Sequence, residues 1–263
     1  MKHEERKNST LKPAPSGPAA KIGTEGARSG GRPLGPNQYT GGAAKSLAGK
    51  TGASDNFTLN AQSLRGLHGA QITQRSGETG VAAEHAAALI LTESALATTG
   101  GTDATTVRFE PYAFFQQTGR WLVATHKDQA AEHRAFEQAR AIDPVAAHCA
   151  LRMGLAQLAG SEAAAAGYDS ALSMWQAMQG NPAAQIDGLF SVIAANSDLR
   201  GALAAENWRE VAVMRAGSGY AALGYDDALA ANATTYRKVS ASEVHGGDDD
   251  DGKPKKRVGK PSK

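Results

Sequence analysis

Two carboxylates stand where a proton could be handed to an oxygen. Glu93 follows Leu89-Ile90-Leu91 and falls in the last turns of a helix predicted over Val81–Ala97, ahead of Gly100-Gly101. Apolar surroundings and the partial negative charge of a helix C-terminus both favour a neutral carboxyl group there. A carboxyl kept protonated near neutrality is what a glycosidase needs to protonate its leaving oxygen. Glu110, between Phe109 and Pro111 at the end of a short strand predicted over Thr105–Phe109, is the second candidate. Glycoside hydrolysis uses carboxylates in pairs.

Other chemistries find less support. His126 and His133 are seven residues apart with no third ligand at metal-site spacing, so neither a metal nor another cofactor is expected. Ser94 has no histidine at a recognisable spacing for a nucleophilic triad. The run Ala44–Thr51, AKSLAGKT, satisfies a loose phosphate-loop pattern. No strand precedes it, and Gly52 and Asp55 follow at once, so nothing would aim its backbone amides at a phosphate. Cys149, the single cysteine, lies in an apolar run and reads as a buried, inert thiol. Trp121, Trp175 and Trp208 read as core residues, with sugar stacking by one of them as the alternative.

The elements that must position the carboxylates are mostly helical. Apolar residues at Phe57, Leu59, Ala61, Leu64 and Leu67 suggest a first helix, and Ala83, Ala86, Ala87, Leu89, Ile90 and Leu91 give the second a wide apolar face. Further helices are predicted over Asp128–Ile142, Val145–Ala159, Tyr168–Met178, Pro182–Ala195, Asp198–Ala205, Trp208–Ala216 and Tyr225–Arg237. Asp143 before Pro144 and Asn181 before Pro182 are N-cap signals with proline in the first helical turn.

Composition sets the boundaries. In a chain of 263 residues with net charge +2, the Gly-, Pro- and Ser-rich region 1–56 cannot bury enough apolar surface to order itself and is expected to be disordered. The same holds for the tail 239–263, where Asp248–Asp251 precede Lys253-Pro254-Lys255-Lys256-Arg257 and Lys260. That tail solubilises the chain or docks on an anionic partner. One domain, 57–238, remains. The small net charge disfavours generic nucleic-acid binding. The apolar stretch Ala86–Leu91 is too short to span a membrane. The charged start, Met1–Lys7, is followed by proline and glycine, so no secretory signal is expected.

Several segments together resemble the N-acetylmuramidase family of peptidoglycan-cleaving enzymes. Ile90-Leu91-Thr92-Glu93-Ser94 is similar to the segment, "VES", that carries the family's catalytic glutamate, and Phe109-Glu110-Pro111-Tyr112-Ala113-Phe114-Phe115 to its "FERH" segment and following aromatics. Leu151–Gly160 resembles "SWGxxQIMG", Trp208 the Trp of "DWxxFA", Gly217–Tyr220 "YNGPGY", and Tyr225–Leu229 "YDxKL". Met153 replaces the Trp of "SWG", Pro111-Tyr112 the His after the second Glu, and Ala216 the Asn of "YNG".

The resemblance implies a mainly α, lysozyme-like, Ala-rich domain with a small β element between disordered tails. It implies cleavage between N-acetylmuramic acid and N-acetylglucosamine, with Glu93 as general acid, Glu110 as second carboxylate, and Gln157, Tyr220 and Tyr112 touching the glycan strand. The chain would act as an endolysin or as a particle-borne wall-degrading component, made in the cytoplasm and reaching the wall after lysis or particle delivery. The alternative is a non-catalytic peptidoglycan-binding or structural component of a phage-tail-like contractile injection particle.

Overall fold

Asn60 opens the first helix, its side-chain oxygen accepting a hydrogen bond from Ser63 N at 2.8 Å. A computed structural model describes the chain over residues 60–96 and 105–245. The expectations for residues 1–56, for the phosphate-loop-like run, for Gly100-Gly101 and for the charged residues 248–260 lie outside these. Helix α1 is Ala61–Thr79, starting later and running further than the first apolar residues suggested. Helix α2, Ala83–Leu96, carries Glu93. Every residue from His85 through Glu93 is buried, so the helix is enclosed all round rather than on one face.

The expected strand is observed as β1, Val107–Phe109. Pro111–Thr118 forms an unforeseen helix, α3, with proline in its first turn and Gly119 at φ 69° closing it. Helices α4, Gln129–Ile142, and α5, Pro144–Cys149, follow, capped by Asp128 and by Asp143. The single helix expected over Val145–Ala159 is not formed. The chain leaves α5 after Cys149 and makes an antiparallel hairpin of β2, Leu151–Met153, and β3, Leu158–Ala159. Residues with good helix propensity are here taken over by pairing with β1, a tertiary contact that overrides local preference. The sheet order is β1-β2-β3, with Val107 opposite Met153, Arg108 opposite Arg152 and Phe109 opposite Leu151.

Two glycines make this corner possible. Gly154 takes φ 76° in the hairpin turn. At Gly160, which opens a short 3-10 turn over Gly160–Glu162, a Cβ would lie 1.9 Å from the His148 carbonyl oxygen. The other edge of β1 is closed by side chains of α4 in place of a fourth strand. Gln129 accepts from Val107 N at 2.8 Å and donates to Val107 O at 3.0 Å, and Glu132 accepts from Phe109 N at 2.9 Å.

The rest is helical: α6 Ala171–Met178, α7 Pro182–Ala195, α8 Ser197–Ala204, α9 Trp208–Ala216, α10 Tyr220–Leu223 and α11 Tyr225–His245. Asn181 caps α7 through Ala184 N, as its sequence predicts. Helix α11 continues past Arg237 and past the expected domain boundary at residue 238. It lies along α2, with α1 packed on α2 as well. Asn232 of α11 donates to Thr92 of α2 at 3.0 Å, which fixes the register of the two helices one residue from Glu93.

Candidate active site

The last turn of α2, the first residue of α11, the C-terminal end of α9 and the β2–β3 hairpin meet around Glu93. Its side chain has 0 % of its surface exposed. The hydroxyl of Tyr225 donates to Glu93 Oε1 at 2.6 Å, and Arg215 Nε lies 3.9 Å from the same oxygen. Beside it, Ser94 donates to the Leu155 carbonyl at 3.0 Å and ties α2 to the hairpin turn.

Arg215 is buried, which would lower its tendency to hold a proton, but Glu162, Glu93 and Tyr225 more than offset this and it stays a cation. Its Nη1 pairs with Glu162 Oε1 at 2.9 Å, and its Nη2 donates to the Ala156 carbonyl at 3.1 Å and the Gln157 carbonyl at 3.5 Å. Glu162 in turn accepts from Ala159 N at 2.7 Å. Burial pushes the Glu162 carboxyl up, but the charges of Arg215 and Arg152 and the Ala159 N–H outweigh it and hold the group below the ordinary carboxylate value. One guanidinium thus joins the acid, the hairpin turn and the 3-10 turn.

Glu110 occupies a second charged cluster. Arg108 and Arg152, paired across β1 and β2, are like charges side by side and need a counter-ion. Glu110 Oε1 supplies it, 3.2 Å from Arg108 Nε and 3.5 Å from Arg152 Nε. The clusters connect, because Arg152 donates to the Gln157 carbonyl at 3.2 Å and to the Arg215 carbonyl at 3.5 Å. Glu110 keeps 26 % of its side-chain surface in water, so of the two carboxylates it is the accessible one.

The other expected site residues sit on the β2–β3 turn, on α10 and on α3. Gln157, at φ 46°, is buried and donates to the Gly154 carbonyl at 2.9 Å, stabilising its own turn, while its Oε1 has no hydrogen-bond partner among the described residues. Tyr220 starts α10 and packs partly buried against the core. Tyr112 lies on α3, where its hydroxyl accepts from Gln116 at 3.1 Å. The replacements Met153 and Ala216 are fully buried core residues, and Pro111 begins α3. Trp175 is a core residue as expected, Trp208 packs partly buried, and Trp121 is exposed, which corrects its reading as core. Cys149 is half-buried, and burial together with Asp143 pushes its thiol up, away from the reactive thiolate.

Sequence reasoning missed Arg215 and Glu162 altogether, and Arg152 and Tyr225 appeared only inside resembling segments. Nothing local signals them, since Arg215 and Glu162 stand 53 positions apart and meet only through the hairpin.

The profile of the N-acetylmuramidase family matches residues 82–237, a span that contains Glu93, Glu110, Glu162, Arg215 and Tyr225. The chain belongs to the N-acetylmuramidase family. It is therefore a glycoside hydrolase of the muramidase class and a peptidoglycan hydrolase. The crystal structure of the Burkholderia AP3 phage endolysin is similar, with a TM-score of 0.56 and 21 % identity over 72 % of this chain and 75 % of that one. That likeness is one of fold. None of the curated protein sequences matches.

Proposed function

We propose that this muramidase cleaves the bond between N-acetylmuramic acid and N-acetylglucosamine, with Glu93 as general acid. The observation that carries the reading is the family match across residues 82–237, within which Glu93 lies in the last turn of a buried helix that Ser94 ties to the β2–β3 turn. The Tyr225 hydroxyl, donating to Oε1, holds the carboxyl in the orientation from which it delivers a proton to the leaving glycosidic oxygen. Glu110, aimed by two guanidinium groups, is the second carboxylate and stabilises positive charge on the sugar ring or orients a water. Because Glu93 has no surface in water, the glycan reaches it only as neighbouring side chains part, and proton transfer then takes place in a site from which water is excluded.

As to its setting, the endolysin name of the similar structure supports a wall-degrading enzyme made in the cytoplasm that meets peptidoglycan at lysis. The experiment that tests the bond is reduction of the digest with borohydride followed by mass spectrometry. Muramitol at the new chain ends is expected. Glucosaminitol ends, or cleavage confined to the stem peptide, would overturn the proposal.

A further inference from the structure

Between Pro111 and Lys127 the chain presents the Trp121 ring to water, with Tyr112 and Phe115 half-buried on α3. Helix α3 contains no charged residue, and after it residues 119–127 bring Arg120, His126 and Lys127 but no acid. Gly119, in the left-handed region at φ 69°, ends α3 with its N–H on the Phe115 carbonyl at 2.7 Å, and Arg120 N donates to Thr118 Oγ1 at 3.1 Å. This turn doubles the chain back so that the Trp121 ring meets Phe115 edge-on, with centroids 5.9 Å apart.

After the turn, side chains from Trp121 to His126 alternate between exposed and half-buried. Leu122 and Ala124 pack on the core, and His126 bonds Glu132 at 2.7 Å. Trp121, Val123 and Thr125 face outward, with Trp121 at 49 % and Val123 at 73 % exposure. On the same helix as Phe115, Gln116 bonds Tyr112, and Gln116 and Gln117 are exposed. An indole fixed on its inner edge and bare on the outside is pre-organised for binding, since little side-chain freedom is left to lose.

From this we infer that Trp121, with Phe115, Tyr112 and Gln116, forms a glycan-binding platform that holds a peptidoglycan strand. The choice of occupant rests on the peptidoglycan reading above. A pyranose offers an apolar C–H face to an aromatic ring and hydroxyl and acetamido groups to neutral amides, and α3 supplies both kinds of partner. The carboxylates of stem peptides match the cations Arg120 and Lys127, and no acid in 111–127 opposes them. A second protein is a poorer fit. One tryptophan and one valine provide far less than the area of roughly 1,000 Å² that a stable protein interface needs.

The test is co-sedimentation of the full chain with purified insoluble peptidoglycan on ice, comparing wild type with Trp121→Ala and Trp121→Tyr. The first variant should need about tenfold more peptidoglycan for half-saturation, as for truncation of a central aromatic anchor. Trp121→Tyr should keep most of the binding. Should Trp121→Ala fold poorly, fluorescence decides: a soluble disaccharide-peptide should blue-shift the emission of wild type, and the shift should be absent in Trp121→Tyr. Equal binding by all three proteins, or no blue shift in wild type, would overturn the platform. So would a wild-type dimer, seen by sedimentation velocity, that Trp121→Ala dissociates. Reducing-end release by wild type is scored separately. Cleavage with Trp121-independent binding rejects the platform and keeps the hydrolase, and Trp121-dependent binding without cleavage does the reverse.

Discussion

Replacing Arg215 with Met removes the guanidinium while keeping much of its length and apolar volume. The variant loses the 2.9 Å pair with Glu162, the bonds to the Ala156 and Gln157 carbonyls, and the charge 3.9 Å from Glu93. Removing one member of a buried pair typically costs about 3–5 kcal/mol, and Glu162 keeps the Ala159 N–H, the charge of Arg152 and 27 % of its side-chain surface in water, which puts the loss at the low end of that range. A loss of that size is expected near neutrality. The pH dependence follows from Glu162, whose carboxyl is held below its ordinary value, mainly by Arg215 against the opposing effect of burial. Stability from such a group is fully present above the unfolded-state value and is lost as pH falls through the lower folded-state value. The gap between wild type and variant should therefore be widest at neutrality and shrink in acid, where Glu162 is protonated in both proteins. Urea unfolding followed by circular dichroism, near neutrality and at about pH 3, measures both. Adding Glu162→Gln to Arg215→Met should restore part of the loss by removing the stranded charge. Equal urea midpoints at neutrality, or a gap that does not change with pH, would refute the reasoning.

Gly160→Ala should destabilise by more than the roughly 1–3 kcal/mol usual for overpacking, since its Cβ would meet backbone at 1.9 Å; a melting temperature close to wild type would count against the hairpin geometry. Gln129→Leu strands the N–H and carbonyl of Val107 and should cost about 1–3 kcal/mol, with faster hydrogen exchange at the Val107 amide as the local readout. Tyr225→Phe removes the donor that engages Glu93 and should lower kcat about tenfold or more, with KM little changed. A rise in KM at constant kcat would place Tyr225 in substrate binding instead.

Where a boundary has a local cause, the sequence shows it. Helices α7 and α9 have the bounds read from Asn181-Pro182 and from the run starting at Trp208, because caps and apolar spacing act within one turn. The hairpin was not legible. Leu151, Arg152 and Met153 carry a helical pattern, and only pairing with β1, more than forty residues earlier, makes them a strand. Helix α3 was hidden for a related reason, since Pro111 reads as a break while serving as a helix start. Glu93 was singled out from its place in the last turns of an apolar helix and from the likeness of Ile90–Ser94 to the family's "VES" segment, and the helix it needs is there. Its partners were not, because Arg215, Glu162 and Tyr225 come from three elements that only the folded chain brings together. Trp121 misled because a large aromatic is usually buried, and the left-handed turn at Gly119 that turns it outward leaves no apolar signature.

The most direct test of the account compares wild type with Glu93→Gln for release of reducing ends from purified peptidoglycan across a broad pH range. Circular dichroism serves to confirm that both proteins keep their helical signal. Glutamine preserves size and hydrogen bonding but cannot deliver the proton, so the rate should fall about a hundredfold to ten-thousandfold. Equal rates in the two folded proteins, or no reducing ends from wild type at any pH, would contradict the assignment of Glu93 as the acid.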